Sequence, residues 1–216
     1  MAIKLVCYDV DGTLLHHPDG GHFWDNLYKR TSAGIKQRDA WRAAFRRGEL
    51  SYDDWINKTV DLLRNEGFGR EAFYALAREL TFVTGAYETL SAVEHAGIDQ
   101  AIVSETVDVV VAAHLSGFRF AAVHTLGTIF DDKGYLQEIR TSPYREQSKV
   151  DGVQKVADSL SIPLSDVAFL GDGLNDRWAL SCCYGIAVRP EHQDVASAAK
   201  KVVHDVRDAL PLILGR

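Results

Sequence analysis

Residues 3–13 read Ile-Lys-Leu-Val-Cys-Tyr-Asp-Val-Asp-Gly-Thr, an apolar run that stops at two carboxylates and a glycine. A run this short, bounded by turn residues, reads as a buried strand over Ile3–Tyr8, broken at Gly12. Matching runs recur at Gln100–Ser104, Phe120–His124, Val167–Leu170 and Gly185–Val188, with a weaker one at Lys201–His204. Between them lie segments of helical period. Ala86, Leu90, Val93 and Ala96 stop at Gly97, and Val150, Val153, Val156, Ala157 and Leu160 precede Pro163. Continuous apolar strands alternating with helices predict an α/β fold, a Rossmann-like doubly wound parallel sheet covered on both faces.

Two segments depart from the alternation. Residues 16–81 hold helical stretches and no convincing strand. In them Ser51 and Asp54 form a capping box that opens a helix through Trp55, Ile56, Val60 and Leu63, ending near Gly67. Leu126–Ile139 instead predicts a hairpin turning at Asp132-Lys133-Gly134. The expected organisation is a core made of residues 1–15 and 82–216, with residues 16–81 inserted as a small helical cap.

The chain has 216 residues, 46% of them hydrophobic and 25% charged, ordinary values for a globular protein with a sizeable core. A net charge of −6 offers no general attraction to nucleic acid or an anionic membrane. No apolar run reaches the roughly 20 residues of a membrane span, and the N-terminus does not read as a signal peptide. Cys7, Cys182 and Cys183 have no metal-binding spacing and read as small hydrophobes in a reducing cytoplasm. A cytoplasmic location is expected.

In an open parallel sheet, ligands collect at the carboxyl ends of the strands. Those ends carry Asp9 and Asp11, Ser104, and Gly171-Asp172-Gly173 followed by Asn175 and Asp176. Four carboxylates converging on one edge would repel one another unless a hard divalent cation lay among them, and magnesium suits such a site. A phosphate there also needs a protein cation. Lys149 and Lys155 precede the fourth strand on a helix that runs back towards the catalytic edge. Lys155 lies roughly 9 Å further along that helix at 1.5 Å per residue, so Lys149 is the expected partner.

Asp9-Val-Asp-Gly-Thr-Leu, Ser104, Lys149 and Gly171-Asp-Gly-Leu-Asn-Asp176, in that order, resemble the four motifs of the haloacid dehalogenase superfamily. Gly-Asp-Gly-x-Asn-Asp, with a helical insertion directly after the first motif, is similar to the phosphoserine phosphatase-like branch. The resemblance implies a phosphatase that hydrolyses a small phosphorylated metabolite through an aspartyl-phosphate. Asp9 would be the nucleophile and Asp11 the general acid and base. The Asp9 carboxylate, the Asp11 backbone carbonyl and the Asp172 carboxylate would hold Mg2+, with Asn175 and Asp176 in support. Ser104, Lys149, Gly12 and Thr13 would serve the phosphate. A phosphotransferase, a haloacid dehalogenase of the same fold, or a phosphate-binding regulatory protein without turnover are the alternatives.

The sequence departs from that branch at two points. Ser104 is followed by Glu105 where glycine is usual, so the Glu105 side chain is expected to point away. No acidic residue lies between Asp11 and Asp19, where many phosphoserine phosphatases carry one that meets the substrate's amino group. His16, Arg46 and Arg47 are the candidate substrate contacts, with His17 and Arg42 as further possibilities. Trp24, Trp41, Trp55 and Phe45 are expected to form the insertion's own core.

Overall fold

Successive strand residues leave on opposite faces, and the first strand divides the interior accordingly. In β1 (Leu5–Tyr8), Val6 and Tyr8 join one apolar core while Leu5 and Cys7 join another. Both faces of the sheet are therefore covered, as a buried parallel strand requires. The computed structural model describes residues 2–190 and 192–215.

Along the chain, β1 is followed by the short β2 (Leu15–His16). Four helices come next: α1 (Phe23–Lys29), α2 (Gly34–Arg46), α3 (Tyr52–Asn65) and α4 (Arg70–Glu79). β3 (Thr81–Phe82) then pairs antiparallel with β2, so the chain enters and leaves the helical segment through one small ribbon. The remaining strands are β4 (Asp99–Val107), β5 (Ala122–Phe130), β6 (Leu136–Arg140), β7 (Val167–Gly171), β8 (Tyr184–Val188) and β9 (Lys201–Val203). Helices α5 (Ala86–His95), α6 (Asp108–His114), α7 (Lys149–Ser159), α8 (Arg177–Cys182), α9 (Gln193–Ala198) and α10 (Leu210–Leu214) alternate with them.

The main sheet has the order β6-β5-β4-β1-β7-β8-β9 and is parallel except for β6. From β1 the chain builds outward to one side and then returns to build on the other. The order therefore reverses at β1, and the crevice at its carboxyl end is where such sheets hold ligands.

The largest departures from the predicted strand boundaries are in β4 and β5. β4 continues past Ser104 to Val107, and its register against β5 shifts between Val103 and Val107. Such an irregularity re-aims side chains, and it falls on Ser104 and Glu105. β5 starts at Ala122 rather than Phe120 and runs unbroken into the hairpin, so one strand serves both predicted elements. The hairpin turn is tightened by Asp131, whose Oδ1 accepts the Lys133 and Tyr135 amides at 3.0 and 2.9 Å.

The α3 start follows its predicted cap, with the Asp54 amide donating to Ser51 Oγ at 3.0 Å. The four inserted helices rest partly on the β5–β6 hairpin. The Arg70 amide donates to Gly134 O at 2.7 Å, and Thr141 Oγ1 to Asp53 Oδ1 at 2.9 Å. α2 is unlike the others because none of its residues is buried. It is tied down by the Arg38–Asp25 ion pair and by the packing of Phe45 on Tyr52 and Trp55. Cys7 and Cys183 are buried, Cys182 is half-buried, and all three thiols are free. Among the described residues no helix is long and apolar enough to cross a membrane.

Gly185 shows how tightly the sheet meets its helices. A Cβ there would lie 2.0 Å from the Leu180 carbonyl oxygen at the end of α8. Gly185→Ala is expected to cost about 1–3 kcal/mol or more through forced backbone movement. Urea denaturation against wild type measures it, and equal midpoints would show that β8 yields freely.

Candidate active site

The amide of Asp9 still donates to Leu170 O of β7 at 2.9 Å, so the sheet ladder fixes the residue that follows β1. Its carboxylate is nearly buried. Lys149, the first residue of α7, has no exposed surface. Its Nζ donates to Asp9 Oδ1 at 2.8 Å and to Asp176 Oδ1 at 2.6 Å. Burial alone would drive the lysine towards neutrality, but the charges of Asp176, Asp9 and Glu105 outweigh it and hold the ammonium far above its ordinary range.

Asp172 and Asp176 follow β7. Asp176 Oδ2 accepts the amides of Asp172 and Gly173 at 3.0 and 2.9 Å, so both of its oxygens are engaged. Thr13 Oγ1 donates to Asp172 Oδ1 at 2.7 Å. Gly12 lets the two loops meet. Its φ is +87°, and a Cβ there would fall 2.2 Å from Asp172 Oδ2. Its amide donates to Leu15 O at 2.8 Å. The Gly12 amide thus closes its own loop and the Thr13 hydroxyl ties it to the loop after β7, so both groups shape the carboxylate cluster.

One carboxylate oxygen each from Asp9, Asp172 and Asp176 lie within 4.8 Å of one another. Burial, then Asp176 and Asp9, push the Asp172 carboxyl well above the carboxylate range. Burial and Asp9 push Asp176 up to about 6 against the opposing pull of Lys149. Both directions have one meaning: two buried carboxylates and a half-buried one share one lysine and lack positive charge. An all-oxygen cluster short of positive charge fits a hard divalent cation. Asp176 already accepts three hydrogen bonds, whereas Asp9 and Asp172 each accept one, on Oδ1, so these two side chains are the better placed to ligate.

Asp11 Oδ1 accepts the Phe23 amide at 3.3 Å, which ties the carboxylate to the start of α1. Burial raises its pKa, and neighbouring Asp9 adds to the rise against the opposing His22. A carboxyl held towards its protonated form can deliver a proton. Ser104 is buried at the β4 irregularity and its Oγ accepts the Thr106 amide at 3.1 Å, leaving its own hydrogen free to donate.

A cavity of about 260 Å3 opens from these groups into the inserted helices. Asp9, Asp11, Ser104, Asp172 and Asn175 line its catalytic end, and Arg38, Arg42 and Arg46 of α2 reach it from the other side. Trp24, Tyr28, Phe45, Tyr52 and Trp55 also line it. The expected aromatic core of the insertion is therefore largely a cavity wall, with Trp41 instead packed edge-on against Tyr28.

Several expectations are corrected here. His16 and Arg47 do not line the cavity. His16 lies on β2 with Nε2 3.4 Å from Thr81 Oγ1, and Arg47 pairs with Glu49 at 2.7 Å. His17 meets Glu79 at 3.2 Å, away from the cavity. His22, beside Asp11, and His192 are the histidines that line it. Glu105 does not point away. It lines the cavity, accepts from Asn175 Nδ2 at 3.2 Å and adds to the charge around Lys149. Lys149 is fully buried and does not line the cavity itself; it reaches the site through Asp9, which does.

The chain matches the haloacid dehalogenase-like hydrolase family over residues 6–181. It is 25% identical over 175 residues to the phosphoserine phosphatase of Methanocaldococcus jannaschii, covering 80% of this chain and 79% of that one. The solved structure of a phospho-aspartyl intermediate analogue of phosphoserine phosphatase superposes with a TM-score of 0.79 at 22% identity. It covers 99% of this chain and 100% of its own. A family hydrolase from Salmonella enterica serovar Typhi superposes at 0.82 with 18% identity, over 99% of this chain and 72% of that one. These superpositions establish the shared fold.

Proposed function

Because the chain belongs to the haloacid dehalogenase-like hydrolase family, we propose that it is a phosphatase in which Asp9 takes the phosphoryl group from a small phosphomonoester. One observation carries this reading. The Asp9 carboxylate stands at the end of a cavity of small-molecule size, held by buried Lys149 and flanked by Asp11, whose pKa is raised.

In the first step an Asp9 oxygen attacks phosphorus and the ester P–O bond breaks. The departing oxygen takes the Asp11 proton and leaves as the alcohol. In the second, a water attacks the aspartyl-phosphate while Asp11 takes back a proton, and the bond to Asp9 breaks to release phosphate. Splitting one displacement into two lowers each barrier. Lys149 fixes the orientation of Asp9 through one oxygen, and the Ser104 hydroxyl is placed to donate to a phosphoryl oxygen. Mg2+ held by Asp9, Asp172 and the Asp11 backbone carbonyl would supply positive charge opposite the phosphoryl oxygens. Residues 16–81 act as a cap that excludes water and selects the substrate. A small phosphorylated metabolite in the cytoplasm is the substrate this reading implies.

Phosphate release from an aryl phosphate tests it. Activity is expected to fall at least about 100-fold on chelation, to return with magnesium and to return poorly with calcium, whose looser shell would misplace Asp9. Full activity in chelator, or no phosphate release with magnesium, would overturn the proposal.

A further inference from the structure

The cavity's far end carries an unusual charge pattern. Arg38, Arg42 and Arg46 stand four residues apart on α2 and so share one face of that helix. Arg38 is answered by Asp25 and by Asp39. Arg42 and Arg46 pair with no carboxylate among the described residues, although both line the cavity. Burial and then the like charges of Arg46 and Arg38 push the Arg42 guanidinium below its ordinary range, so these cations crowd one another. Two unanswered guanidiniums facing a partly desolvated space attract an anion and repel a cation.

The two other carboxylates that line the cavity, Asp25 and Glu105, are already engaged. Asp25 holds Arg38 and accepts the His22 amide at 3.1 Å. Glu105 is drawn towards Asn175 and the charge of Lys149. An ammonium group would therefore find no open partner beside the arginines. Much of the remaining wall is aromatic. Trp24, Phe45 and Trp55 are partly buried against the core, and the Trp24 Nε1 donates to Glu105 O at 3.1 Å, fixing that ring at the junction. Rings of this kind accept a flat apolar body.

Resting on the phosphatase reading, we infer that the preferred substrate is a phosphomonoester with a flat apolar body and a second anionic group, a carboxylate or phosphate, and no ammonium. Its phosphoryl group lies at Asp9, its body crosses the aromatic wall, and its second anion meets Arg42 and Arg46. This is a different class from a phosphorylated amino acid.

Matched pairs of substrates test each element by kcat/KM. Para-carboxyphenyl phosphate is expected to exceed phenyl phosphate by about 30-fold or more, the worth of a desolvated charge contact. Benzyl phosphate should exceed ethyl phosphate about 10-fold through ring burial. Phosphooxypropionate should exceed phosphoserine, which differs from it by the ammonium. Benzene bisphosphate against para-carboxyphenyl phosphate tells a phosphate-reading from a carboxylate-reading pair of arginines. Arg42→Gln with Arg46→Gln is expected to collapse the first ratio towards one, and the exposed position of both residues spares the fold. A preference for phosphoserine, or an unchanged first ratio in the double variant, would overturn the inference. Calorimetric binding of para-carboxyphenyl and phenyl phosphates to Asp9→Asn separates the two proposals. Tighter binding of the first without any wild-type turnover would sink the phosphatase reading alone, whereas equal binding would sink this one.

Discussion

Asp9→Asn is expected to lower phosphate release by at least about 10^4-fold, in the range seen when a covalent nucleophile is removed elsewhere. The amide is nearly isosteric with the carboxylate, so its oxygen can still accept from Lys149 Nζ. It cannot attack phosphorus, and without an aspartyl-phosphate the reaction has no first step. The same change should leave the fold intact and, in metal-free buffer, raise the melting temperature. Asp9 is one of the charges that push both Asp172 and Asp176 up. A carboxyl raised in the folded state costs stability once the pH exceeds its unfolded value, so removing the neighbour that raises it returns some of that cost at neutral pH. Phosphate release and thermal melting on one preparation check both halves. Turnover above a few per cent of wild type would end the covalent mechanism. A lower melting temperature would show that Asp9 holds the cluster together more than it crowds it.

Lys149→Met carries the other large effect. Methionine keeps much of the side-chain volume and removes the charge, leaving Asp9 and Asp176 buried without their shared cation. Breaking a buried pair from one side typically costs about 3–5 kcal/mol. The lysine's contribution has a defined pH range. Its pKa is raised on folding, so the stabilisation is fully present below the ordinary lysine value of about 10.4 and is lost only as pH rises beyond it. The loss in Lys149→Met should therefore be visible across the neutral range. Rate should fall about 100- to 1000-fold as well, because Asp9 loses its orienting partner. Lys155→Met is the internal control. That lysine is exposed with its ammonium 5.7 Å from the Tyr144 ring centre, and its loss should stay within about 0.5 kcal/mol. Urea midpoints and kcat for the two variants decide the matter, and similar values would show that the buried contacts carry neither stability nor rate.

The choice between these lysines is legible in the sequence, because it follows from helix direction and rise. So are the strand ends, since apolar runs broken by Gly12 and Gly171 leave few other readings. What escaped had physical reasons. The apolar run predicts a strand that ends at Ser104, whereas a longer strand carries a register shift at Ser104 and Glu105, and Glu105 lines the cavity; period-two patterning does not reveal such a shift. His16 and His17 are closest in sequence to the catalytic aspartates, but β2 takes His16 into its ribbon, His17 turns to Glu79, and the chain returns only at His22. Arg47 was the wrong neighbour for Arg46 for a reason the sequence did contain. Consecutive helical residues point about 100° apart, and Arg42 shares the face of Arg46 through the i,i+4 relation.

The absence of any buried residue in α2 has a consequence for how such a protein can change over generations. Most substitutions that destabilise a protein do so by disturbing its interior, while exposed positions usually stay within about 0.5 kcal/mol. A helix that faces the cavity and meets the core through little more than the partly buried Phe45 can therefore be rewritten with little cost in stability elsewhere along it. The catalytic end has no such freedom, because Lys149 and Asp176 are sealed into the sheet's own packing. Novelty in this protein would thus accumulate on one outer wall, and a lineage could drift from one phosphorylated compound to another without first becoming more robust.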